Sequence, residues 1–481
     1  MPNTLRTTYS CFVFLLTVFC TRLSAQETNP SGAETSPALQ AENGSLFTIR
    51  NIIITGNKRT KPEIILREMP FTSGEHYLLQ DLLKQFEKAR MQIMNMALFH
   101  SVTVAMKNAD GYLIDVQVEV KERWYVFPLP YLKPVDRNLN QWLFQKNASL
   151  NRIDYGVKLA SYNTTGNNDK LRLWLINGYT KQLSFSYEKP YIDKKMQWGM
   201  LTSFGIGKNR EVNYNTIDNK QVFYKDNSYI RSFITASAAV TYRPAIKTRH
   251  QLGVIYTREN INDTVVALNP LYFKKERNLL QYPELYYSMK YYDLDYIPYP
   301  TKGYAAEVVL GKKGFDKNLN QWYLTAKGSG SWHTGKKTFL NVTAYGNVRL
   351  PFKQPYIMQR LLGYNDAFIQ GYEYYVIDGV AGGFLKTTFT RELFGMNVKK
   401  PFAKKGQTDC SIPFRFFGKI YGNAGYVYNP QPGENSLSNQ MLYSGGIGLD
   451  ILTAYDFTIK LEWTFNQLGQ NGLFLHRKST F

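Results

Sequence analysis

Most of the chain alternates apolar and polar residues in short segments. In FTIKLEWTF, residues 457–465, every second residue from Phe457 is apolar, and the residues between are Thr, Lys, Glu and Thr. Such alternation predicts a strand with one apolar and one polar face. About sixteen segments of this kind follow residue 123, separated by clusters of Gly, Asn, Asp and Pro. They lie near residues 124–132, 152–161, 170–178, 182–189, 197–208, 229–242, 249–259, 281–294, 303–311, 320–333, 337–350, 384–393, 412–428, 441–453, 456–466 and 471–481.

This pattern favours a closed sheet in a membrane. An apolar face opposite a face of charged and amide groups fits strands with lipid outside and water inside. An open sheet of this width has two unpaired edges, and unpaired backbone groups cost several kcal/mol each in lipid. We therefore predict a transmembrane β-barrel of about 16 antiparallel strands over residues 124–481. No stretch after residue 25 has the roughly 20 apolar residues of a membrane helix, which excludes a helical membrane protein.

Residues 47–123 have a different pattern. Apolar residues recur at three- and four-residue spacing from about residue 78 to 97, which predicts an amphipathic helix. Thr60 and Glu63 in TKPE predict a capping box at the start of a shorter helix. Strands are predicted in FTIRNIII, HSVTVAM and LIDVQVEVKE. The order β-α-α-β-β predicts a small α/β domain.

No folded domain is predicted for residues 1–46. Arg6, the apolar run at 11–20 and LSA before Gln26 predict a signal peptide over residues 1–25. Residues 26–46 are polar and rich in Ser, Pro and Gly, which predicts a disordered tether. Removal of the signal lowers the formal charge from +21 to +19, because it deletes Arg6 and Arg22. One cysteine then remains, so the mature chain forms no internal disulfide.

The positive charge and the absence of catalytic motifs narrow the function. No basic helix or Arg/Gly-rich tract is present, so outer-membrane lipids and lipopolysaccharide phosphates are expected to balance the charge, and nucleic acid is not expected. Basic loops that keep the surface solvated are the alternative. The five histidines are scattered, without HxxxH or CxxC, and no Walker loop or GxSxG elbow occurs. The sequence therefore predicts no metal, no cofactor and no enzyme.

Several motifs together are similar to those of one family. The front domain carries GN after its first strand, LFHSVTV and VEVKER; the remainder carries YGVKLASYNTTGNNDKL (155–171), FSYEKPYI (185–192), YGNAGYVYN (421–429) and a terminal Phe481. Between them lies NDAFIQGYEYYVIDG (365–379), which does not alternate. This series resembles the BamA/TamA family, in which a POTRA domain precedes an outer-membrane barrel.

The resemblance implies a docked loop. In that family the sixth extracellular loop folds back into the barrel, and its Arg-Gly-Tyr/Phe tip docks on the Asp of an F-x-D motif on the thirteenth strand. The matching motifs here are Gln370-Gly371-Tyr372 and Tyr421-Gly422-Asn423. Both charged members are replaced by amides, so we expect loop 350–383 inside the barrel with Gln370 hydrogen-bonded to Asn423, for a net gain of about 0.5–1.5 kcal/mol. Ser444, Gly446 and Gly448 leave room for the loop.

The barrel is predicted to close weakly between its first and last strands. Pro128 and Pro130 are two residues apart, so both missing N–H groups lie along one edge of the first strand. The last segment alternates poorly before it ends at Phe481. If the two strands meet, the seam between them has few hydrogen bonds. The alternative is that residues 124–134 are an extended linker.

The resemblance also implies a function. It implies insertion or translocation of other polypeptides at the bacterial outer membrane, without nucleotide hydrolysis and with the POTRA domain in the periplasm. Unfolded or nascent outer-membrane polypeptides and periplasmic chaperones are the implied partners. Three alternatives stay open: a dedicated two-partner-type secretion pore, although such pores usually carry two POTRA-like modules; a plain diffusion or uptake channel; and a paralogue whose assembly role has lapsed.

Overall fold

The computed structural model describes residues 46–136, 140–274, 276–364, 366–399 and 411–478. The predicted signal peptide, residues 26–45 of the predicted tether, and Phe481 lie outside them. Leu46, the last residue of the predicted tether, instead begins the first strand. Residues from Leu46 onward form one compact unit. Within the described ranges, no helix has both the length and the apolar character needed to cross a membrane.

The N-terminal domain is a four-stranded sheet covered by two helices. A strand that the sequence analysis missed, β2, precedes the long helix and pairs antiparallel with β1. The sheet order is β2-β1-β4-β3, with β1 parallel to β4. The elements are β1 Leu46–Thr55, α1 Pro62–Leu66, β2 His76–Leu78, α2 Leu79–Met94, β3 Phe99–Asp110 and β4 Leu113–Glu122.

The core of this domain follows the helical and strand periodicities. The buried face of α2 consists of Leu82, Phe86, Ala89 and Ile93. The alternate residues of β4 that the sequence predicted to share a face are buried: Ile114, Val116, Val118 and Val120. The predicted capping box is wrong: Lys61 is the N-cap of α1, and no side chain caps the helix. The Thr60 hydroxyl is used elsewhere, as described below.

The rest of the chain forms a 16-stranded antiparallel sheet, which confirms the predicted barrel. Neighbours in sequence are neighbours in the sheet, apart from two hairpins in connections. The barrel strands are β5 Val126–Pro134, β6 Ile153–Tyr162, β7 Lys170–Gly178, β8 Thr180–Lys189, β9 Trp198–Asn209, β12 Arg231–Tyr242, β13 Thr248–Ile261, β14 Leu279–Leu294, β15 Gly303–Lys313, β16 Gln321–Gly335, β17 Thr338–Leu350, β20 Ala381–Lys399, β21 Ser411–Tyr428, β22 Met441–Thr453, β23 Thr458–Asn466 and β24 Asn471–Lys478.

The connections hold the remaining elements. The two hairpins, β10–β11 and β18–β19, were not predicted, because short polar segments in loops carry little periodicity. These elements are a π-helix at Gln141–Gln145, 3-10 turns at Leu150–Arg152, Tyr356–Met358 and Ala454–Asp456, the strands β10 Glu211–Ile217, β11 Lys220–Lys225, β18 Arg360–Leu362 and β19 Ile377–Asp378, and the helix α3 Asp263–Leu268.

Burial separates the two faces of the barrel strands as the alternation predicts. On β23, Thr458, Glu462 and Thr464 are buried, whereas Trp463 and Phe465 are 45% and 54% exposed. Large apolar side chains are exposed in the same way on most other strands. An outward apolar band of this kind suits contact with lipid.

The N-terminal domain is docked on short turns at one end of the barrel, which we call the domain end. The longer connections lie at the opposite, loop end. The guanidinium of Arg243, in the turn after β12, pairs with the carboxylate of Glu68, and both side chains are at most 10% exposed. Next to this pair, the Arg67 guanidinium donates to the carbonyls of Met196 and Arg243 at 2.9 and 2.8 Å. One side of the domain is thus fixed to two turns.

A second ion pair fixes the other side. Arg123, just after β4, donates from Nη1 to Asp456 in the turn between β22 and β23 at 2.7 Å. Tyr296, in the turn after β14, also donates to Asp456. The hydroxyl of Thr60 accepts a hydrogen bond from Asn163 in the turn after β6 at 2.9 Å. The domain is therefore held by turns distributed around the opening.

We predict that the Glu68–Arg243 pair is required for tight docking. Glu68→Ala leaves the Arg243 guanidinium buried without its counter-charge, which costs about 3–5 kcal/mol. The amide N–H of Ile297 donates to the Asn95 side chain across the interface at 2.9 Å. Its hydrogen exchange should therefore accelerate in the variant.

The matched control is Glu87→Ala. Glu87 forms an ion pair with Arg90, but both side chains are about half exposed, and such pairs contribute about 1 kcal/mol or less. Exchange at Ile297 should not change in this control. Equal exchange in both variants would contradict a docking role for Glu68.

Candidate functional site

The connection between β17 and β20, residues 351–380, enters the barrel; we call it the lumen loop. Its tip lies against the inner face of β22 and β23, where Asn466 donates to the carbonyl of Gly371 at 2.7 Å. Gly371 has a φ of +89°, and a Cβ atom there would lie 2.7 Å from the Thr464 side chain. Glycine alone meets both the left-handed backbone and the close approach to the wall.

Tyr372 fixes the tip in an apolar environment. Its ring is 2% exposed, and its hydroxyl donates to the carbonyl of Tyr443 on β22 at 3.0 Å. The hydroxyl thereby has a partner in an otherwise apolar surrounding. The ring belongs to a buried cluster that joins the lumen loop to the barrel wall: Leu361, Leu362, Ile369, Ile377, Phe384, Val427, Leu437 and Leu442.

Gln370 does not pair with the residue that the sequence analysis predicted. Its Nε2 donates to the carboxylate of Glu462 on β23 at 2.8 Å. Asn423 instead donates to the hydroxyl of Ser444 on the adjacent strand at 3.0 Å. The loop tip thus lies closer to the fifteenth strand of the barrel than to the thirteenth, β21. The expected Gln370–Asn423 hydrogen bond is wrong for this reason.

Glu462 is the centre of a buried charge cluster. Its carboxylate accepts hydrogen bonds from Lys419 on β21 and from Nδ1 of His476 on β24, each at 2.6 Å. Lys419 also lies 2.6 Å from Asp450 on β22, and Asp450 accepts a hydrogen bond from Tyr299 at 3.0 Å. Four neighbouring strands and the lumen loop are thereby joined through Glu462 and Lys419.

Strand register explains how these side chains meet. Lys419 is opposite Gly448, which is opposite Glu462. A Cβ at Gly448 would lie 2.7 Å from the Lys419 side chain, so the absent side chain lets lysine cross β22 to reach β23. Tyr421 lies opposite Gly446 in the same way, and its hydroxyl reaches Thr464 at 2.5 Å.

These observations locate each predicted loop residue. Gly371 and Tyr372 lie at the tip, Tyr421 and Asn423 face inward nearby, and Tyr421 is joined to the wall rather than to Gln370. Glu462, Lys419 and His476 were not predicted as site residues from the sequence. Alternation had placed Glu462 on the inward face, but nothing in the sequence indicates which strands lie beside the loop tip.

The edge of β5 is depleted in hydrogen-bond donors. On either side of β5, the carbonyl of Tyr125 accepts from Tyr162 on β6, and the N–H of Val135 donates to the carbonyl of Arg152, just before β6. The backbone groups of odd-numbered residues are therefore directed toward β6. Backbone groups alternate in direction along a strand, so even-numbered residues point the other way. These are Val126, Pro128, Pro130, Leu132 and Pro134. Three of the five lack an N–H group, as predicted for the two central prolines.

The opposite edge belongs to β24, and together the two edges form the seam. In the described residues, β5 and β24 are the two ends of the sheet order, and no ladder pairing joins them. Asn140, which follows β5, donates to the carbonyl of Leu473 on β24 at 2.7 Å. The Trp124 indole donates to the carbonyl of Val126. Side chains thus satisfy seam carbonyls that a ladder would otherwise use. The linker alternative for 124–134 is wrong, since β5 pairs along its length with β6.

Comparison with known protein families gives two matches. The Omp85 superfamily domain model matches residues 163–471, which is more than half of the chain. The POTRA model, described as a surface antigen variable number repeat, matches residues 47–123. The chain belongs to the Omp85 superfamily, and the resemblance to the BamA/TamA family is confirmed. A search of curated proteins finds no match.

The chain is similar to several solved structures at low identity. CdiB from Escherichia coli has a TM-score of 0.51 and 11% identity, over 90% of this chain and 75% of that one. BamA from Haemophilus ducreyi lacking POTRA domains 1-3 has a TM-score of 0.47 and 14% identity, over 90% and 83%. CdiB from Acinetobacter baumannii has a TM-score of 0.47 and 10% identity, over 90% and 73%. At these identities the similarity concerns the fold alone.

We predict that Gln370 is energetically coupled to Glu462 and not to Asn423. A double-mutant cycle of Gln370→Met with Glu462→Met should give a coupling energy of at least about 1 kcal/mol, because the hydrogen bond involves a charged acceptor. The cycle of Gln370→Met with Asn423→Ser should be additive within about 0.5 kcal/mol. The measurement is the free energy of unfolding in detergent micelles. Coupling to Asn423 alone would contradict the geometry.

A second prediction concerns the lysine of the cluster. Lys419→Met leaves the buried carboxylates of Glu462 and Asp450 without their shared cation, so the free energy of unfolding should fall by about 3–5 kcal/mol. Lys327→Met removes an exposed lysine of β16 and should change the free energy by about 0.5 kcal/mol or less. Similar losses in the two variants would show that the buried cluster contributes no more to the free energy of unfolding than an exposed lysine does.

Proposed function

We propose that the protein inserts or translocates unfolded polypeptides at the bacterial outer membrane through the seam between β5 and β24, with its POTRA domain in the periplasm. The observation that carries this proposal is the edge of β5, where Pro128, Pro130 and Pro134 remove three of five N–H donors. A ladder across such an edge forms few hydrogen bonds. The seam is therefore the place where the wall of the barrel opens at least cost.

The edge still suits a client strand. Proline removes a donor and keeps its carbonyl. The seam side of β5 therefore carries five carbonyl groups, of which that of Val126 already accepts from Trp124, and only two N–H groups, on Val126 and Leu132. An incoming strand can donate its own N–H groups to these carbonyls, which is β-augmentation. A client held by so few bonds can also leave. This favours transient pairing over permanent closure.

Family membership supports a mechanism without nucleotide hydrolysis. The driving force would then be the folding of the client in lipid. Each new pair of strands forms hydrogen bonds between backbone groups that would otherwise be unpaired in the hydrocarbon. Outer-membrane lipids and periplasmic chaperones are the other proposed partners. A chaperone would deliver its client to the POTRA domain at the domain end of the barrel.

Two features argue against a plain diffusion channel. The lumen loop is packed into the loop end of the barrel through Tyr372 and the Glu462 cluster, and the N-terminal domain is docked across the domain end. Ion conductance of the full-length protein in planar bilayers should therefore be low. A large, steady open conductance would favour the channel.

A dedicated secretion pore is the second candidate. Membership of the Omp85 superfamily supports insertion or translocation of polypeptides and is equally compatible with one dedicated, secreted client. Depletion of the protein in its native host, followed by an inventory of outer-membrane and secreted proteins, distinguishes the candidates. Broad loss of outer-membrane proteins supports general assembly, and loss of one secreted species supports a dedicated partner. No change in either set contradicts both.

We predict that restoring the donors of the seam closes it. Pro128→Val and Pro130→Val together add two N–H groups to the seam edge of β5. The double variant should unfold at a higher temperature and insert an unfolded barrel client into vesicles more slowly. Pro283→Val on β14 is the control, because this strand lies far from the seam in the sheet order. Faster insertion by the double variant would contradict the role of the seam.

A further inference from the structure

A cluster of basic residues lies on the lipid-facing side of the barrel at its loop end. Lys181 is the second residue of β8 and Lys208 is the second-to-last residue of β9, and the two are direct cross-strand partners. Arg210 follows β9 immediately. The outward direction of the two lysines follows from alternation, since Phe185 and Phe204 on the same faces are 40% and 42% exposed.

Two of these cations, Lys181 and Arg210, lie beside one tyrosine ring. Nζ of Lys181 lies 5.6 Å from the ring centre of Tyr229, and Cζ of Arg210 lies 5.1 Å from it. Tyr229 precedes β12, the strand that follows β9 in the sheet. The cluster therefore lies on a short arc of the rim, which spans β8, β9 and the start of β12.

The protein itself does not balance this charge. In the described part of the chain, none of Lys181, Lys208 and Arg210 forms an ion pair. Two neighbouring carboxylates are engaged elsewhere. Glu211, next to Arg210 in the chain, accepts from Arg152 and Tyr179. Asp226, whose backbone N–H donates to the Arg210 carbonyl, accepts from the Ser228 amide.

Two polar atoms of the cluster are also buried without a partner among the described residues: Nε of Arg210 and the hydroxyl of Tyr229. Buried donors of this kind are uncommon, since most find an acceptor. Like charges placed directly opposite each other on a sheet repel. An external anion beside Lys181 and Lys208, which are direct cross-strand partners, would relieve this repulsion.

We infer that Lys181, Lys208, Arg210 and Tyr229 form a binding site for the phosphate of an outer-leaflet glycolipid. Arginine and lysine at the level of the headgroups attract anionic lipid, and a guanidinium matches phosphate geometry. Below the cations, Leu183, Phe185, Phe204 and Ile206 form an exposed apolar strip that suits acyl chains. A free phosphate ion would not contact that apolar strip, whereas the acyl chains of a lipid would. The occupant is therefore the lipid. The inference relies on the proposed orientation, with the loop end outward, and not on the proposed client chemistry.

The test is binding of purified lipopolysaccharide to the full-length protein in a non-ionic detergent. Affinity should fall about fivefold for each charge removed in Lys181→Gln and Lys181→Gln/Lys208→Gln. Dephosphorylated lipopolysaccharide should bind the native protein at least as weakly as intact lipopolysaccharide binds the double variant, which keeps Arg210. Equal affinity of native and variant protein, or inorganic phosphate competing at concentrations matched to the lipid, overturns the lipid site.

Lys312→Gln is the matched control. Lys312 is a basic residue near the loop end of β15, but its ammonium has a protein acceptor, Oδ1 of Asn320, at 2.8 Å. Its removal should leave the affinity unchanged. An equal loss in this control would show a general effect of charge and overturn the site.

The thermal stability of the variants gives an independent readout. Without lipopolysaccharide, Lys208→Gln should unfold at the same or a higher temperature than the native protein, because it removes the repulsion with Lys181. With lipopolysaccharide, the native protein should gain more stability than the variant. A variant that is less stable under both conditions would indicate a structural role for Lys208 and contradict the site. Neither measurement involves client insertion, so failure here leaves the proposed function to its own tests.

Discussion

The structure depends on one constraint: every backbone N–H and C=O group of a sheet in lipid needs a partner. Fifteen adjacent pairings meet this requirement in the 16-stranded sheet. The remaining junction, between β5 and β24, meets it only in part. Prolines remove donors on the seam side of β5, and the side chains of Trp124 and Asn140 donate to one carbonyl on each edge. The wall is thus continuous except at this one junction, where the described residues form no ladder.

The interior follows a second rule, that a buried charge needs a counter-charge. Lys419 and Glu462 are both almost fully buried, and their pairing is possible because Gly448 between them has no side chain. The same carboxylate accepts from Gln370 of the lumen loop and from His476 on β24. Loop position and the strand that borders the seam are therefore coupled through one carboxylate. A displacement of the lumen loop would disturb hydrogen bonding next to the seam.

The N-terminal domain adds a constraint from outside the barrel. Its ion pairs through Glu68 and Arg123 are buried, so a shift that separates either pair without admitting water leaves a buried charge without its counter-charge. Their partners lie in the turns after β12 and β22, on different parts of the barrel. Docking therefore holds together turns that are remote in the sheet. Such a clamp limits how far the barrel wall can move while the domain stays bound.

Sequence alone determined the alternation of the barrel strands, the small α/β domain and the glycine-tyrosine tip of the lumen loop, because each is a local property of periodicity or backbone freedom. It also placed the two central prolines on one edge of β5. Only the tertiary structure decided the partner of Gln370. The choice between Asn423 and Glu462, far apart in the chain, depends on how the loop descends into a closed barrel. The contacts between the N-terminal domain and the turns could not be predicted for the same reason. Side chains that pair although they are far apart in the chain leave no periodic signal in one sequence.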